Sequence, residues 1–514
     1  MIKTAVINVP RLEPHRPPPG PAIIANICKQ QGHSVVAYDL NIKFFYYCKL
    51  HNVDYYSFDI YWDKISPLEG DQEVFVQKFI NYYCENISLE NFNYIMVGVF
   101  AYPGHVFAEM FLRTLRNKTS SIIIIGGMGV GSTSLLDQDK SFGRRMKDLD
   151  YVDHFIVGEG ERSLVKLLNN QAGNGIDNSA SDQIDELDNL PIPDYSVYNL
   201  DEYDYLTPGS REVFITGSRG CVRKCTYCDV ERYWPKFRYR SGHSIASEII
   251  HNYETLGITK FYFTDSLVNG SLKSFEDMCG QLVNYKFDKK ISWSGQFIFR
   301  ERRSIPKDHY KMIAEAGADI LIIGLETGSD KIRYEMGKKF TNEDIDFQLS
   351  ECSKYGIKVN FLMLTGYVTE TLADHQDTLR MFQRWQRYVA DGTINGIDLG
   401  HPLTILTGTP LERMMGHHGM VFMTDTQGEP IPVLWQSTSN PDLTIKERIR
   451  RTLELHQEAI KYHWPVWRQK HRLLDIKNLI LEHKLYETDK TFYKIENQTN
   501  TAAKKIIPIT SLAG

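Results

Sequence analysis

The sequence predicts an α/β fold made of two successive sheet domains and a helical carboxyl-terminal extension. Short apolar runs rich in β-branched residues alternate with segments of helical periodicity, first over residues 1–171 and again over 196–415. Between them, residues 172–195 form a predicted linker, because residues 172–189 hold five carboxylates, no Lys or Arg, and many Gly, Ser and Asn. Residues 416–514 lack the alternating pattern and form the predicted extension.

Size and composition exclude several classes of protein. A chain of 514 residues is too long for one ordinary core. A formal charge of −5 gives no overall electrostatic attraction to nucleic acid or to a membrane surface. The longest apolar runs, such as 122–125, have the length of a strand, and the first residues do not resemble a secretory signal. We therefore expect a cytoplasmic protein with no membrane partner.

The amino-terminal domain reads as a doubly wound parallel sheet, because its strands are apolar almost throughout. Strands are predicted at 3–9, 34–40, 94–100, 121–126 and 154–157, with helices at 21–31 and 105–117 and a helical insertion at 41–92. Ligands of such sheets bind beyond the carboxyl ends of the strands. We therefore expect any ligand of this domain to contact the loops 10–20, 101–104, 126–132 and 158–161.

The second domain shows six βα units. Their strands are predicted near residues 213, 259, 291, 319, 357 and 394. In βα barrels the chemistry lies at the carboxyl ends of the strands. The extension contains a long helical stretch at 444–485, which should break at Pro465. This stretch is either a cap that packs on the second domain or, since it is basic, a surface for an anionic partner.

Three cysteines follow the first strand of the second domain directly. Cys221, Cys225 and Cys228 have the spacing C-x3-C-x2-C, which lets one tight loop place three thiolates at corners of one cluster. Soft thiolates favour iron–sulfur or zinc, and a closed site of either kind needs a fourth ligand. Asp229 is a poor fourth ligand, so we expect an iron that is open to another group. A zinc knuckle and three unrelated thiols are the alternatives.

This motif, with Tyr227 before its third cysteine, resembles the signature of radical S-adenosylmethionine (SAM) enzymes. The resemblance implies that the three thiolates hold a [4Fe–4S] cluster whose open iron binds SAM. An external reductant of the flavodoxin or ferredoxin type would supply the electron that cleaves SAM to a 5′-deoxyadenosyl radical. It also implies that the six βα units form a partial (β/α)6 TIM-type barrel. The other five cysteines are interpreted as buried thiols, with a second cluster as the alternative: Cys28, Cys48, Cys84, Cys279 and Cys352.

The same resemblance implies a set of SAM-binding residues. Besides Tyr227, it includes Thr264 and Asp265 at the end of the second barrel strand, where the family binds the SAM amino group. Asp265 could instead cap the next helix. Arg300 occupies the place of an arginine suited to the SAM carboxylate or to a substrate acid.

Two later segments extend this set. Residues 323–329 resemble the family's G-x-E-(S/T)-G segment, which places Glu326 at the SAM ribose or amino group. Gly366 stands where relatives have G-x-P-G-E-T and is implied to pack on the adenine. The Pro and one Gly of that segment are missing here, so the loop departs from the family pattern.

The amino-terminal loops resemble the cobalamin-binding domain of a large radical SAM subfamily. They are 17–20, 126–127 and 157–161, and their glycines let main-chain amides approach a flat corrin. The residues implied at a cobalamin site are Pro19, Gly20, Tyr102, Gly126, Gly127, Glu159 and Gly160. Since the D-x-H-x-x-G sequence is absent, cobalt is expected to lack a histidine ligand and to face Tyr102 or a neighbour. The alternative is a domain that keeps the fold and has lost the cofactor.

We therefore expect an enzyme, and the leading reaction is cobalamin-dependent methyl transfer to an unactivated carbon. One SAM would methylate the cobalt and a second would yield the radical. The alternatives are a radical rearrangement, cyclisation or oxidation, a methylthiotransferase, and a non-catalytic cobalamin or cluster sensor. The substrate is expected to be a small molecule or a peptide. Residues 232–240 interleave cations with aromatics, as a nucleic-acid surface does, but the subfamily carries such a loop whatever its substrate.

Overall fold

The structure is a computed structural model in which the chain forms two compact units. The first unit comprises 1–222, 230–296 and 315–318, and the second comprises 223–229, 297–314 and 319–514. This division falls inside the predicted second domain, and the functional domains 1–171 and 196–415 remain predictions. The residues described are 1–10, 13–61, 70–101, 104–131, 141–169, 183–205, 209–424, 430–467, 472–473, 476–477 and 479–480.

The first unit opens with a five-stranded parallel sheet of strand order β2–β1–β3–β4–β5. All five predicted strands are confirmed to within two residues at each end. This order places the topological switch point between β1 and β3. The elements are β1 (Lys3–Asn8), α1 (Pro19–Gln30), β2 (Ser34–Asp39), α2 (Leu40–Leu50), α3 (Asp71–Asn86), β3 (Tyr94–Gly98), α4 (His105–Arg116), β4 (Ile122–Gly126), α5 (Phe142–Asp148), β5 (His154–Ile156) and α6 (Glu161–Leu168).

The sheet is buried on both faces, as its apolar strands predict. Ile95 and Val97 of β3 belong to one apolar core, to which Phe44 of α2 and Phe79 of α3 also belong. Met96 points to the opposite face and joins a second core with residues of α1 and α6. The insertion at 41–92 therefore supplies helices that cover one face of the sheet.

The rest of the first unit holds the first three strands of the predicted barrel. Strand β9 pairs in parallel with β6 and with β10, while β7 and β8 pair antiparallel. The elements are β6 (Glu212–Ile215), β7 (Ser218–Arg219), α7 (Val230–Tyr233), β8 (Arg238–Tyr239), α8 (Gly242–Leu256), β9 (Lys260–Phe263), α9 (Leu272–Asn284) and β10 (Ser292–Phe297).

The predicted linker is only partly among the described residues, since 170–182 lie outside them. Its later part is packed. Ile184 and Leu187 are buried, and Asp188 accepts a hydrogen bond of 2.8 Å from the main-chain N–H of Ser241. The polar composition of this segment therefore gave no indication that Ile184 and Leu187 are buried.

The second unit holds the other three barrel strands, in the order β13–β12–β11. All six predicted barrel strands are thus present. The elements are α10 (His309–Glu315), β11 (Ala318–Glu326), α11 (Asp330–Glu335), α12 (Asn342–Tyr355), β12 (Lys358–Met363), α13 (Leu372–Arg384), α14 (Gln386–Ala390), β13 (Ile394–Asp398), α15 (Pro410–Arg413), β14 (Met420–Thr424), β15 (Pro430–Ser437) and α16 (Ile445–Lys461). In three elements, β10, α10 and β11, one terminal residue belongs to a different unit from the rest of the element.

The carboxyl-terminal extension is not helical throughout. It begins with the antiparallel pair β14 and β15, which the sequence analysis did not predict. Helix α16 ends four residues before Pro465, and the carbonyl of Pro465 accepts a hydrogen bond of 2.9 Å from Ile397 of β13. None of the described helices is both long and apolar enough to cross a bilayer.

Helix α16 is anchored by a buried arginine. Arg448 is fully buried and donates hydrogen bonds of 3.0 Å to the carbonyls of Leu403, Val433 and Trp435. Its guanidinium also stacks 3.9 Å from the centre of the Trp435 ring. This interaction supports the prediction that the helix is a cap.

Replacing Arg448 with Met should lower the free energy of unfolding by about 3 kcal/mol, because three buried hydrogen bonds to main-chain carbonyls are lost. Arg450 is the matched control on the same helix, since it is partly exposed and pairs with Glu447 and Glu454. Arg450→Met should lower the stability by less than about 1 kcal/mol. Urea unfolding measures both variants, and equal midpoints for the two would contradict the account.

Candidate cofactor and active site

A large cleft lies at the carboxyl ends of the five-stranded sheet in the first unit. Its volume is about 690 Å³, and residues at the ends of both β1 and β3 line it, as expected for a switch point. The walls are largely apolar, as in cofactor pockets generally. Six of the predicted cobalamin residues line this cleft: Pro19, Gly20, Gly126, Gly127, Glu159 and Gly160. The seventh, Tyr102, lies outside the described residues.

The cleft glycines serve two different purposes. Gly127 has a φ of +112°, and a Cβ there would lie 2.4 Å from the carbonyl oxygen of Val99, so no larger residue fits. Gly126 and Gly20 are unlike it. A Cβ on Gly126 would meet only the carbonyl oxygen of Ile156, at 4.0 Å, and a Cβ on Gly20 would meet nothing within 4 Å. These two glycines therefore leave room inside the cleft.

Two large apolar side chains of the cleft are exposed. Phe100 is 51% exposed and Met128 is 42% exposed, and both line the cleft. Large apolar side chains that face an open cleft indicate a ligand that covers them. Together with the room beside Gly126, these residues fit a large flat group such as a corrin.

The same cleft extends to the segment that leads into the cysteine motif. Arg219 and Gly220 line it, as do Thr264 and Ser266 beyond the end of β9. Gly220 immediately precedes Cys221 in the sequence. Within the first unit, one cleft therefore runs from the glycine loops of the sheet to the start of the motif.

A buried ion network forms one wall of this cleft. Glu159 pairs with Arg219 at 2.9 Å and with Arg238, and it accepts a hydrogen bond of 3.0 Å from the main-chain N–H of Ile184. Arg219 also pairs with Glu161. Burial alone would raise the pKa of Glu159, but the hydrogen bond from Arg238 and the charge of Arg219 bring it below its ordinary value. The Glu159 carboxylate is thus used to hold the wall of the cleft.

Asp265 holds the loop that precedes the motif. Its carboxylate accepts hydrogen bonds from the main-chain N–H of Gly217 at 2.8 Å and from the hydroxyl of Ser218 at 2.5 Å. Burial raises the pKa of Asp265 to about 7. The alternative that Asp265 caps the next helix is wrong, because Ser271 caps α9. The neighbouring Thr264 shares a hydrogen bond of 2.8 Å with the hydroxyl of Thr216, and its contact with SAM remains a prediction.

In the second unit, the motif loop is fixed by three separate segments. The main-chain N–H of Thr226 donates to the carbonyl of Met336 at 3.1 Å, and its own carbonyl accepts from Leu411 at 2.7 Å. The hydroxyls of Thr226 and Tyr367 share a hydrogen bond of 2.8 Å. The loop 225–228 closes on itself through a bond of 3.1 Å from the N–H of its last residue to the carbonyl of its first.

The cysteines of the chain fall into two classes. The three motif cysteines are partly exposed, as ligands that accept a cluster must be, while the other five are buried as predicted. The described residues contain no group of three or more His, Cys, Asp or Glu side chains placed to hold a single metal ion. A four-iron cluster takes one thiolate per iron, so its ligands do not converge on one ion.

Glu326 forms a buried triad at the carboxyl end of β11. It has a φ of +68°, and its carboxylate pairs with Lys338 at 2.7 Å. The hydroxyl of Tyr227 also donates to this carboxylate. Burial, and then the Glu326 charge, raise the pKa of Tyr227 well above its ordinary value. Sequence analysis did not predict a role for Lys338 at this site. The only sequence signal was its position directly after Gly337, beyond the end of α11.

Arg300 and Gly366 have clear local roles. Gln348 holds the main chain of Arg300 with two hydrogen bonds of 3.1 and 2.8 Å. Burial, and then the nearby charge of Arg223, lower the pKa of Arg300. Gly366 has a φ of +77°, and a Cβ there would lie 2.4 Å from the Cγ atom of Arg448. The glycine is thus required by packing under α16, and its contact with adenine remains a prediction.

A further arginine on α16 fixes the loop after Gly366. Arg451 pairs with the carboxylate of Glu370 at 2.8 Å and donates to its carbonyl at 3.1 Å. The same carboxylate accepts from the main-chain N–H of Gly366 at 3.1 Å. The basic residues that suggested an anionic partner therefore include two that are buried and bonded to main-chain carbonyls of the unit, Arg448 and Arg451.

Comparison with known proteins identifies part of the chain. A sequence profile of the Radical SAM superfamily matches residues 215–382. The chain is 21% identical over 313 residues to anaerobic magnesium-protoporphyrin IX monomethyl ester cyclase from Rubrivivax gelatinosus, covering 56% of this chain and 54% of that protein. It is 27% identical over 193 residues to cytidylyl-2-hydroxyethylphosphonate methyltransferase from Streptomyces wedmorensis, covering 35% of each. The chain thus spans about half or less of the length of these relatives.

Solved structures extend the likeness to almost the whole chain. The radical SAM methyltransferase TsrM from Kitasatospora setae, with tryptophan and a SAM analogue bound, matches with a TM-score of 0.63 and 15% identity, covering 88% of this chain and 89% of that one. The cobalamin-dependent enzyme OxsB, with aqua-cobalamin bound, matches with a TM-score of 0.61 and 16% identity, covering 98% and 71%. The superfamily implies a [4Fe–4S] cluster and SAM. The chain therefore contains a radical SAM domain, within a fold that it shares with cobalamin-dependent radical SAM enzymes.

Proposed function

We propose that this protein is a cobalamin-dependent radical SAM methyltransferase that acts on an unactivated carbon. The observation that carries the proposal is the cleft of the first unit, which runs from the glycine loops of the sheet to Gly220, next to Cys221. A methyl carrier held in this cleft would lie in the same cavity as the approach to the motif. The methyltransferases among the similar proteins support this proposal.

The described lining of the cleft supports cobalamin without a protein histidine. No histidine is among the lining residues that the structure describes, and the D-x-H-x-x-G sequence is absent. When bound, cobalamin would supply a carrier for a methyl group, and the cluster would supply an electron for the cleavage of SAM. The role of the protein is to bind both groups, to exclude water with the apolar walls of the cleft, and to hold the motif loop.

Named side chains take these roles in the proposal. The thiolates of Cys221, Cys225 and Cys228 would hold the [4Fe–4S] cluster, and the cluster would offer a binding position for SAM. Asp265 fixes the loop before the motif through its two hydrogen bonds. Arg300 offers a partly buried cation to the carboxylate of SAM or of a substrate. The substrate is a small molecule or a peptide, and the electron donor is of the flavodoxin or ferredoxin type.

A radical cyclisation or oxidation is the second candidate. The observation that favours it is the similarity to the magnesium-protoporphyrin cyclase, which covers more of this chain than the similarity to the methyltransferase from Streptomyces does. Such a reaction needs the radical but transfers no methyl group. The two candidates therefore differ in the products that SAM leaves behind.

Filling the cleft should prevent cobalamin binding. Gly126→Leu places a side chain in the open space of the cleft, and we expect at least a tenfold weaker affinity for hydroxocobalamin with an unchanged iron content. The control is Gly280→Leu on α9, where a Cβ also meets nothing within 4 Å but lies outside the cleft lining. Absorbance after gel filtration measures the bound cobalamin. Equal binding by both variants would refute the assigned cleft, and no binding by the wild type would favour the alternative of a lost cofactor.

Methyl transfer should consume two SAM molecules in each turnover. The radical comes from one SAM, which leaves 5′-deoxyadenosine, and the methyl group comes from another, which leaves S-adenosylhomocysteine. Incubation of the reduced holoenzyme with a cell extract and methyl-labelled SAM, followed by chromatography, should give both products and a labelled substrate. If 5′-deoxyadenosine accumulates without S-adenosylhomocysteine or label, the second candidate replaces the first. If neither forms while the cluster is intact, the sensor alternative gains support.

A further inference from the structure

The segment after α11 lies directly against the motif loop in the second unit. Met336 accepts the hydrogen bond from Thr226, as described above. Gly337 has a φ of +88°, and a Cβ there would lie 3.1 Å from the carbonyl oxygen of Lys224 and 3.4 Å from the Cα atom of Cys225. The next residue, Lys338, is therefore placed beside the motif loop by its main chain.

Lys338 is a buried cation at this position. Only 8% of the residue is exposed, and its Nζ atom lies 2.7 Å both from the Glu326 carboxylate and from the carbonyl oxygen of Gly324. Gly324 makes room for this ion pair, because a Cβ on Gly324 would lie 2.5 Å from the Nζ atom of Lys338 and 2.5 Å from the Oε1 atom of Glu326. Burying an ammonium costs several kcal/mol unless partners repay it. The Lys338 ammonium is therefore buried at a cost in free energy that its partners must offset.

Lys338 is a paired cation beside the motif loop. Its Nζ atom bonds the Glu326 carboxylate, and its main chain follows Gly337, which packs on the Lys224 carbonyl and the Cys225 Cα atom. Tyr227 holds the other side of the carboxylate and so keeps the ion pair in place.

We propose that the Lys338 ammonium sets the reduction potential of the cluster held by the motif cysteines, with Glu326 acting in the opposite direction. This inference rests on the proposed function, since it requires a bound cluster. The step is the transfer of one electron from a flavodoxin-type or ferredoxin-type donor to the [4Fe–4S]²⁺ state, which gives [4Fe–4S]⁺ with no bond or proton transferred. A buried positive charge stabilises the more negative reduced state, and a buried carboxylate destabilises it.

Substitutions at the two positions should therefore shift the potential in opposite directions. Lys338→Met should lower it by at least 59 mV, which corresponds to a tenfold smaller equilibrium constant for one-electron reduction. Glu326→Gln should raise it, and Lys338→Arg, which keeps the charge, should restore most of the wild-type value. The matched control is Lys339→Met, because Lys339 is the exposed neighbour of Lys338 and its charge is screened by solvent.

The experiment is a redox titration of the anaerobically reconstituted full chain without SAM. Iron content is measured first, and dithionite reduction is followed by the electron paramagnetic resonance of the reduced cluster. An unchanged potential in Lys338→Met with four irons bound overturns the inference, as does a shift of the same sign in Glu326→Gln. If Lys338→Met holds no cluster, Glu326→Gln decides, since the absence of a rise overturns the inference. A wild-type chain without a cluster would instead overturn the proposed function.

Discussion

The hydrogen bonds of Thr226 are the constraint on which the motif loop of the second unit depends. Its N–H, carbonyl and hydroxyl bind Met336, Leu411 and Tyr367, which follow three different parts of the barrel. The loop is thereby held through both the main chain and the hydroxyl of Thr226. An apolar cluster that includes Met336, Tyr367 and Leu411 packs behind these contacts. The motif cysteines, which are the predicted iron ligands, are therefore partly exposed on a loop that is nevertheless fixed.

The first unit meets a related requirement in its own way. The walls of its cleft must be rigid, because they surround open space. The close packing of Gly127 against Val99 fixes one wall. Arg219 provides another, because it pairs with both Glu159 and Glu161. Arg219 stands two residues before Cys221 in the sequence, so the ion network that shapes the cleft also restrains the approach to the motif. The wall of the proposed cofactor cleft and the segment that leads into the motif are thus linked through the chain itself.

The sequence predicted what depends on local pattern. The strands of both sheets were found because apolar β-branched runs mark buried parallel strands, and the cysteine spacing is a local feature. It did not predict Lys338 or the anchoring role of Arg448, because their partners, Glu326 and the carbonyl of Leu403, lie 12 and 45 residues away. The helix-cap alternative for Asp265 failed for the same reason, since its partners precede it by almost 50 residues. The pair β14 and β15 was missed because strands with two prolines, as in Pro430–Ser437, give a weak strand pattern.

The central claim is that cobalamin and the cluster work together in one chain. The most direct measurement is the electron paramagnetic resonance of cob(II)alamin in the reconstituted protein, with the cluster reduced to its paramagnetic state. The account predicts cobalt lines broadened or split by the spin of the cluster, and sharp lines when Cys221, Cys225 and Cys228 are all replaced by Ala. Cobalt lines that are identical in the two proteins, with a fully reduced cluster in the wild type, would contradict it.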